Sequence, residues 1–150
     1  MKRILGVDVG QKRIGLALSD PMGITAGGLG VLERTGTEQA VKAIADLCIK
    51  HEVQTIVVGL PLTLRGTKGP QAQRVQSFAD KLQAAAGVPI AMVDERFTTA
   101  QGERALMQTG AKRKQRDAVI DQVAAQLILQ SYLDQQRPLL DRQRSFDAEK

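Results

Sequence analysis

Apolar residues recur along this chain with two different periods, and the switches between them divide it into elements. Arg3 to Val9 and Ile14 to Ser19 are short β-patterned runs on either side of Gly10-Gln11-Lys12-Arg13, a spacing that predicts a hairpin with glycine in its turn. A third run, Leu29 to Leu32, follows Gly27-Gly28, so three antiparallel strands are expected to open the chain. From about Thr37 to His51 the period becomes helical, with Val41, Ile44, Leu47 and Cys48 on one face. Thr55-Ile56-Val57-Val58-Gly59-Leu60 is continuously apolar, as a strand buried on both faces would be. Pro70 suits the first turn of a helix running to about Ala86, and Pro89 to Asp94 reads as a fifth strand. Thr98 with Gln101 fits a capping box opening a further helix that Gly110 would stop, and a last helix is expected from about Asp117 to Leu133.

The expected order is three antiparallel strands followed by strands alternating with helices, which should pair in parallel. The fold class is therefore α/β, a mixed sheet with helices on both faces. The chain's 150 residues suffice for one domain with a core, expected over residues 1–137, with residues 138–150 a polar, loosely held tail. No internal repeat is visible.

Composition narrows the function classes. With no Trp, one Tyr and three Phe, broad base-stacking platforms are excluded. Twenty-one basic against sixteen acidic residues give a net charge of +5, which favours a polyanionic partner. Cys48 is the only cysteine and lies in register with Ile44, so it reads as a small buried hydrophobe, and no intrachain disulfide can form. Without an apolar signal region or an 18-residue apolar stretch, a cytoplasmic location is expected.

Three carboxylates interrupt this pattern. Asp8 sits inside the apolar run Ile4-Leu5-Gly6-Val7-Asp8-Val9-Gly10, Glu95 follows Ile90-Ala91-Met92-Val93-Asp94, and Asp121 borders the apolar face of the last helix. A buried carboxylate is costly unless it is neutralised, hydrogen-bonded or bound to a cation. On a helical wheel Asp121 lies beside Asp117, Ala125 and Ile128, at the margin of a stripe of Ile120, Val123, Ala124 and Leu127, with Ala124 and Ala125 small enough for close approach to a sheet. Ligands of open sheets gather outside the carboxyl ends of parallel strands, where Asp8 and Glu95 would converge. Hard oxygen donors without a Cys or His cluster point to Mg²⁺ or Mn²⁺ as cofactor. Two such ions about 4 Å apart would activate a water and stabilise the leaving oxygen of a phosphodiester. Taken singly, Asp8 reads as a turn residue, Glu95 as an ion-pair partner of Arg96 and Asp121 as a solvated helix position; only the set makes a metal site. His51, the one histidine, falls at a helix end and reads as a partner of the helix dipole.

The basic residues fall beside the same segments. Lys12 and Arg13 follow Asp8, Arg65 and Lys68 occupy the loop after the fourth strand, Arg96 follows Glu95, and Lys112, Arg113, Lys114 and Arg116 precede the Asp121 helix. Such residues would contact phosphates and position a nucleic acid without reading its sequence, although a solvated charge run explains Lys112 to Lys114 equally well.

Gly6-Val7-Asp8-Val9-Gly10-Gln11-Lys12-Arg13-Ile14-Gly15-Leu16-Ala17, Val57-Val58-Gly59-Leu60-Pro61-Leu62, Val93-Asp94-Glu95-Arg96-Phe97-Thr98-Thr99 and Ile120-Asp121-Gln122-Val123-Ala124-Ala125 together resemble the successive motifs of the YqgF family, also called RuvX, of Holliday junction resolvase-like nucleases. The resemblance spans roughly residues 3 to 133 in order. It implies a ribonuclease H-like fold and a divalent-metal nuclease centre carried by Asp8, Glu95 and Asp121. It also implies a part in ribosome biogenesis, processing the 5′ end of precursor 16S rRNA, or alternatively the resolution of four-way DNA junctions. The partner is then RNA or branched DNA, and symmetric junction cutting would call for a homodimer. Two positions depart from the family pattern: Arg65-Gly66 stands where Asp-Gly is usual, and Gln122 where Ser often follows the helix acid. Both bear on loop contacts to substrate and leave the acidic triad intact.

Two other classes compete. Asp8-Val9-Gly10 before a glycine hairpin also resembles the phosphate loop of actin-like and sugar-kinase ATPases, which close a nucleotide between two such domains where this chain supplies one; ATP binding would favour that class. A non-catalytic nucleic-acid-binding assembly factor is the other, and metal-dependent cleavage lost with one carboxylate would decide against it.

Overall fold

In the computed structural model, which describes residues 3–95 and 120–136, the hairpin opens the sheet as its pattern dictates. β1 (Arg3–Val9) and β2 (Arg13–Ser19) are antiparallel, with Gly10 donating its N–H to the Arg13 carbonyl across the turn at 3.0 Å. β3 (Ala26–Glu33) adds to β2, and α1 (Thr37–Lys50) then returns the chain to β4 (Val53–Leu60), which lies parallel to β1. α2 (Pro70–Ala86) starts on its proline and stops at Gly87, whose φ of +70° is the left-handed conformation glycine adopts most readily. β5 (Ile90–Asp94) completes the order β3-β2-β1-β4-β5, parallel to β4, and α3 covers residues 120–136.

Alternation along the strands sorts the core into two layers. Leu5 and Val7 of β1 and Ile56 and Val58 of β4 pack with Val41, Ile44 and Cys48 of α1 and Val75, Phe78 and Leu82 of α2. Val57, Val93 and Ala17 face the other way, onto Ala124, Ala125, Ile128, Leu129 and Leu133 of α3. Each fully buried Leu or Ile contributes about 1.5–3 kcal/mol relative to exposure. Helices thus cover both faces, and β1 and β4 lie inside the sheet. Burial also pushes the Cys48 thiol up to about 11, in keeping with its place as a core hydrophobe.

Two expectations are corrected. β3 begins at Ala26, so Gly27 and Gly28 lie within the strand: they pair with Leu18 and Ala17, and the ladder to β2 outweighs the poor strand propensity of glycine. α3 in turn reaches over this edge, where Gln130 accepts from the Ala26 N–H and donates to the Ile24 carbonyl, both at 3.0 Å. The buried stripe of α3 is also rotated from the one expected: Ile120, Ala124, Ala125, Ile128 and Leu129 are buried, while Val123 and Leu127 are only half-buried. Asp121 therefore lies in line with Ala124, Ala125 and Ile128, one turn before the small residues on which the helix closes against the sheet. The helix expected from Thr98 to Gly110 and the tail from residue 138 lie outside the described residues.

Candidate active site

The carboxyl end of β1 carries Asp8 between two glycines on neighbouring strands. Gly15 of β2 is its antiparallel partner. Gly59 of β4 stands one residue beyond the parallel pair Val7–Val58, as Asp8 does on β1. Gly6 faces α3, since a Cβ there would lie 2.7 Å from the Leu129 Cβ. Asp8, two residues on, shares that face.

Each flanking glycine leaves room for another acidic residue. A Cβ on Gly59 would stand 2.7 Å from Glu95 Oε1, so the Glu95 carboxylate occupies the space over that glycine. A Cβ on Gly15 would stand 1.9 Å from the Asp121 backbone oxygen, so α3 lies directly on β2 at Asp121. Strands are about 4.8 Å apart, which puts the three acidic residues on one face within about two strand spacings. Asp8 is 6% and Glu95 2% exposed, leaving them, with Ser19, as the buried polar residues among those described.

The third carboxylate is engaged by a cation. Arg13, at the start of β2, donates from Nε to Asp121 Oδ2 at 3.0 Å, both side chains being about a quarter exposed or less. Arg13, expected at a substrate phosphate, here stands against one of the acids. Among the described residues no three Asp, Glu, His or Cys side chains are gathered closely enough to enclose a metal ion. The donor chemistry nevertheless fits a hard divalent cation: two nearly inaccessible carboxylates share a face, with a third at its margin. Asp8 and Glu95 would hold such an ion, and Asp121 would join them by exchanging its guanidinium partner for the metal.

Of the basic residues expected nearby, Lys12 is exposed in the β1–β2 turn, Arg65 is exposed in the loop before α2, and Lys68 donates to Gln76 at 3.3 Å. Arg96, Lys112, Arg113, Lys114 and Arg116 lie outside the described residues. Gln122, one of the departures from the family pattern, packs against β3, where a Cβ on Gly28 would meet its side-chain amide. His51 caps α1, its backbone N–H bonded to the Leu47 carbonyl, and stands away from this edge.

A family model described as RuvX, Holliday junction resolvase, matches residues 2–135. The chain belongs to the RuvX family. A RuvX relative from Clostridium acetobutylicum is 47% identical over 132 residues, covering 88% of this chain and 98% of its own length. One from Moorella thermoacetica is 48% identical over 132 residues, covering 88% and 94%. Both carry the name of a proposed pre-16S rRNA nuclease. Among solved structures, RuvC of T. thermophilus in complex with a Holliday junction substrate superposes with a TM-score of 0.58 at 16% identity, over 92% of this chain and 97% of that one. The fowlpox virus resolvase, in complex with Holliday junction DNA, gives 0.52 at 14% identity, over 89% and 97%. The RuvX chain thus has the ribonuclease H-like fold of these resolvases.

Proposed function

We propose that this protein is a metal-dependent nuclease that hydrolyses phosphodiester bonds at the 5′ end of precursor 16S rRNA in the cytoplasm. The observation that carries the proposal is the row Gly15–Asp8–Gly59, whose two glycines make room for Asp121 and Glu95 beside a buried aspartate. In this reading Asp8, Glu95 and Asp121 hold Mg²⁺ or Mn²⁺, as a pair of ions. When bound, such ions lower the pKa of a coordinated water and offset charge on the leaving oxygen. The protein's own part is to fix the carboxylates on a rigid sheet, to exclude bulk water from Asp8 and Glu95, and to meet phosphates with Lys12, Arg65 and Lys68.

Arg13 adds a regulated element to this scheme. With its guanidinium on Asp121, the acid is neutralised when metal is scarce. Arg13→Gln is therefore expected to lower the Mg²⁺ concentration needed for half-maximal cleavage several-fold. Titrating activity with Mg²⁺ at saturating RNA checks this, and an unchanged half-saturation point would make the pair purely structural.

Resolution of four-way DNA junctions is the second reading, favoured by the description of the matching family model. Cleavage of a precursor 16S 5′-end RNA and of a synthetic four-way DNA junction, side by side with Mg²⁺ or Mn²⁺, separates the two. The proposal expects the RNA to be cut at a defined site and the junction to be left intact. Symmetric cutting of the junction alone, by a dimer, would overturn it in favour of the resolvase.

A further inference from the structure

On the opposite side of the sheet edge from Asp8, a cavity of about 510 Å³ opens between the β1–β2 turn, the start of α1 and the exposed side of α2. Among the described residues its charged lining is wholly basic: Arg34, Arg74 and Lys81. Arg74, Phe78 and Lys81 follow one another at helical spacing, so the two cations project along one side of α2 with the buried Phe78 between them. Arg34 is fixed beneath them. Its guanidinium lies 5.0 Å over the Phe78 ring, donates from Nη1 to the Gly10 carbonyl at 3.0 Å and from Nη2 to Thr37 Oγ1 at 3.2 Å. None of these partners is an anion, and neither Arg74 nor Lys81 has an ion pair among the described residues.

Three cations gathered in a concave site repel one another, and an anion between them relieves that repulsion. We propose that this cavity is a phosphate-binding subsite for the nucleic-acid strand that passes through the Asp8 centre, an inference that rests on the nuclease reading. Two features favour a strand over a free nucleotide. Among the described residues the one aromatic ring at the site, Phe78, is 2% exposed and covered by Arg34, so these residues offer a base no platform and present charge alone. The cavity is also lined by Val9, Gly10 and Gln11, the residues that directly follow Asp8, so a strand crossing the sheet edge meets both sites in succession.

The test is the salt dependence of binding of a labelled single-stranded RNA in chelator, where cleavage cannot interfere. Arg74 and Lys81 are exposed, so Arg74→Gln with Lys81→Gln leaves the fold unburdened. Loss of two phosphate contacts lowers the slope of log affinity against log salt by about 1.4 and weakens binding roughly 25-fold at 0.1 M salt. Lys42→Gln with Lys50→Gln removes the same charge from exposed positions on α1 outside the cavity and should stay near wild type. An unchanged slope in the first variant, or equal losses in both, would overturn the subsite. So would tight binding of inorganic phosphate or a nucleoside monophosphate to the wild type with strand binding unaffected by the cavity variant. The two readings fail separately: a wild type that binds through the cavity yet cuts nothing refutes the nuclease, and one that cuts with an unchanged slope in the variant refutes the subsite.

Discussion

Asp8→Asn is expected to reduce cleavage by about 10²–10⁴-fold, the equivalent of several kcal/mol of charge stabilisation at the reacting phosphate. The change keeps the shape of the side chain, so the circular dichroism spectrum should match wild type. Glu95→Gln should behave alike, since both carboxylates are buried on one face with only a glycine position between them. Combining the two should cost little more than either alone, because one missing ligand already disables a shared centre. Single-turnover rates of the two variants and the double variant check this. A double variant slowed by the product of two modest single losses would mean that the acids act independently.

Gly15→Ala is expected to be as damaging without touching any acid. The added methyl would meet the Asp121 backbone oxygen at 1.9 Å, and a main-chain atom in a packed helix cannot swing aside as a side-chain tip can. α3 would have to retreat by roughly 1.5–2 Å to reach ordinary contact. Such overpacking costs typically 1–3 kcal/mol, and displacement of about 1 Å at a reacting centre can cost 10²-fold in rate. Gly27→Ala is the control, because its new methyl would meet nothing nearer than the Leu18 carbonyl at 3.7 Å. Urea denaturation and RNA cleavage measured on both should separate them widely; equal tolerance would show that α3 does not need its close seat on β2.

The sequence reading reached the order of the elements and the mixed sheet through local signals. Asp8 stood out because a charge in an apolar run has few reasons to be there, and Pro70 marked the start of α2 through a backbone constraint that acts within a turn. What it missed depends on contacts between distant segments. Gly15 and Gly59 were visible as glycines, but nothing local says that a helix 106 residues later closes on the first. The close approach of Ala124 and Ala125 was legible from their size, but hydrophobicity put Val123 and Leu127 in the stripe where the fold buries Ile128 and Leu129, because seating α3 against Gly6 and Gly15 turns the helix toward its small residues. Arg34, Arg74 and Lys81 carry no motif, and only the fold, which lays Arg34 from the connection between β3 and α1 over Phe78 of α2, brings them together.

The central claim, that Asp8 belongs to a cation site, is tested most directly by thermal melting of wild type and Asp8→Asn in chelator and in increasing Mn²⁺. Two carboxylates about 4 Å apart repel by roughly 1 kcal/mol in water and up to about 4 at an effective dielectric of 20. Removing one charge relieves this, so in chelator Asp8→Asn should melt at or above wild type. Mn²⁺ binds the folded state preferentially and should raise the wild-type midpoint steadily, while the variant, lacking a ligand, responds much less, so that the order narrows or reverses. If instead Asp8→Asn melts well below wild type in chelator and both respond equally to Mn²⁺, Asp8 is a structural hydrogen-bonding residue and the metal site is not there.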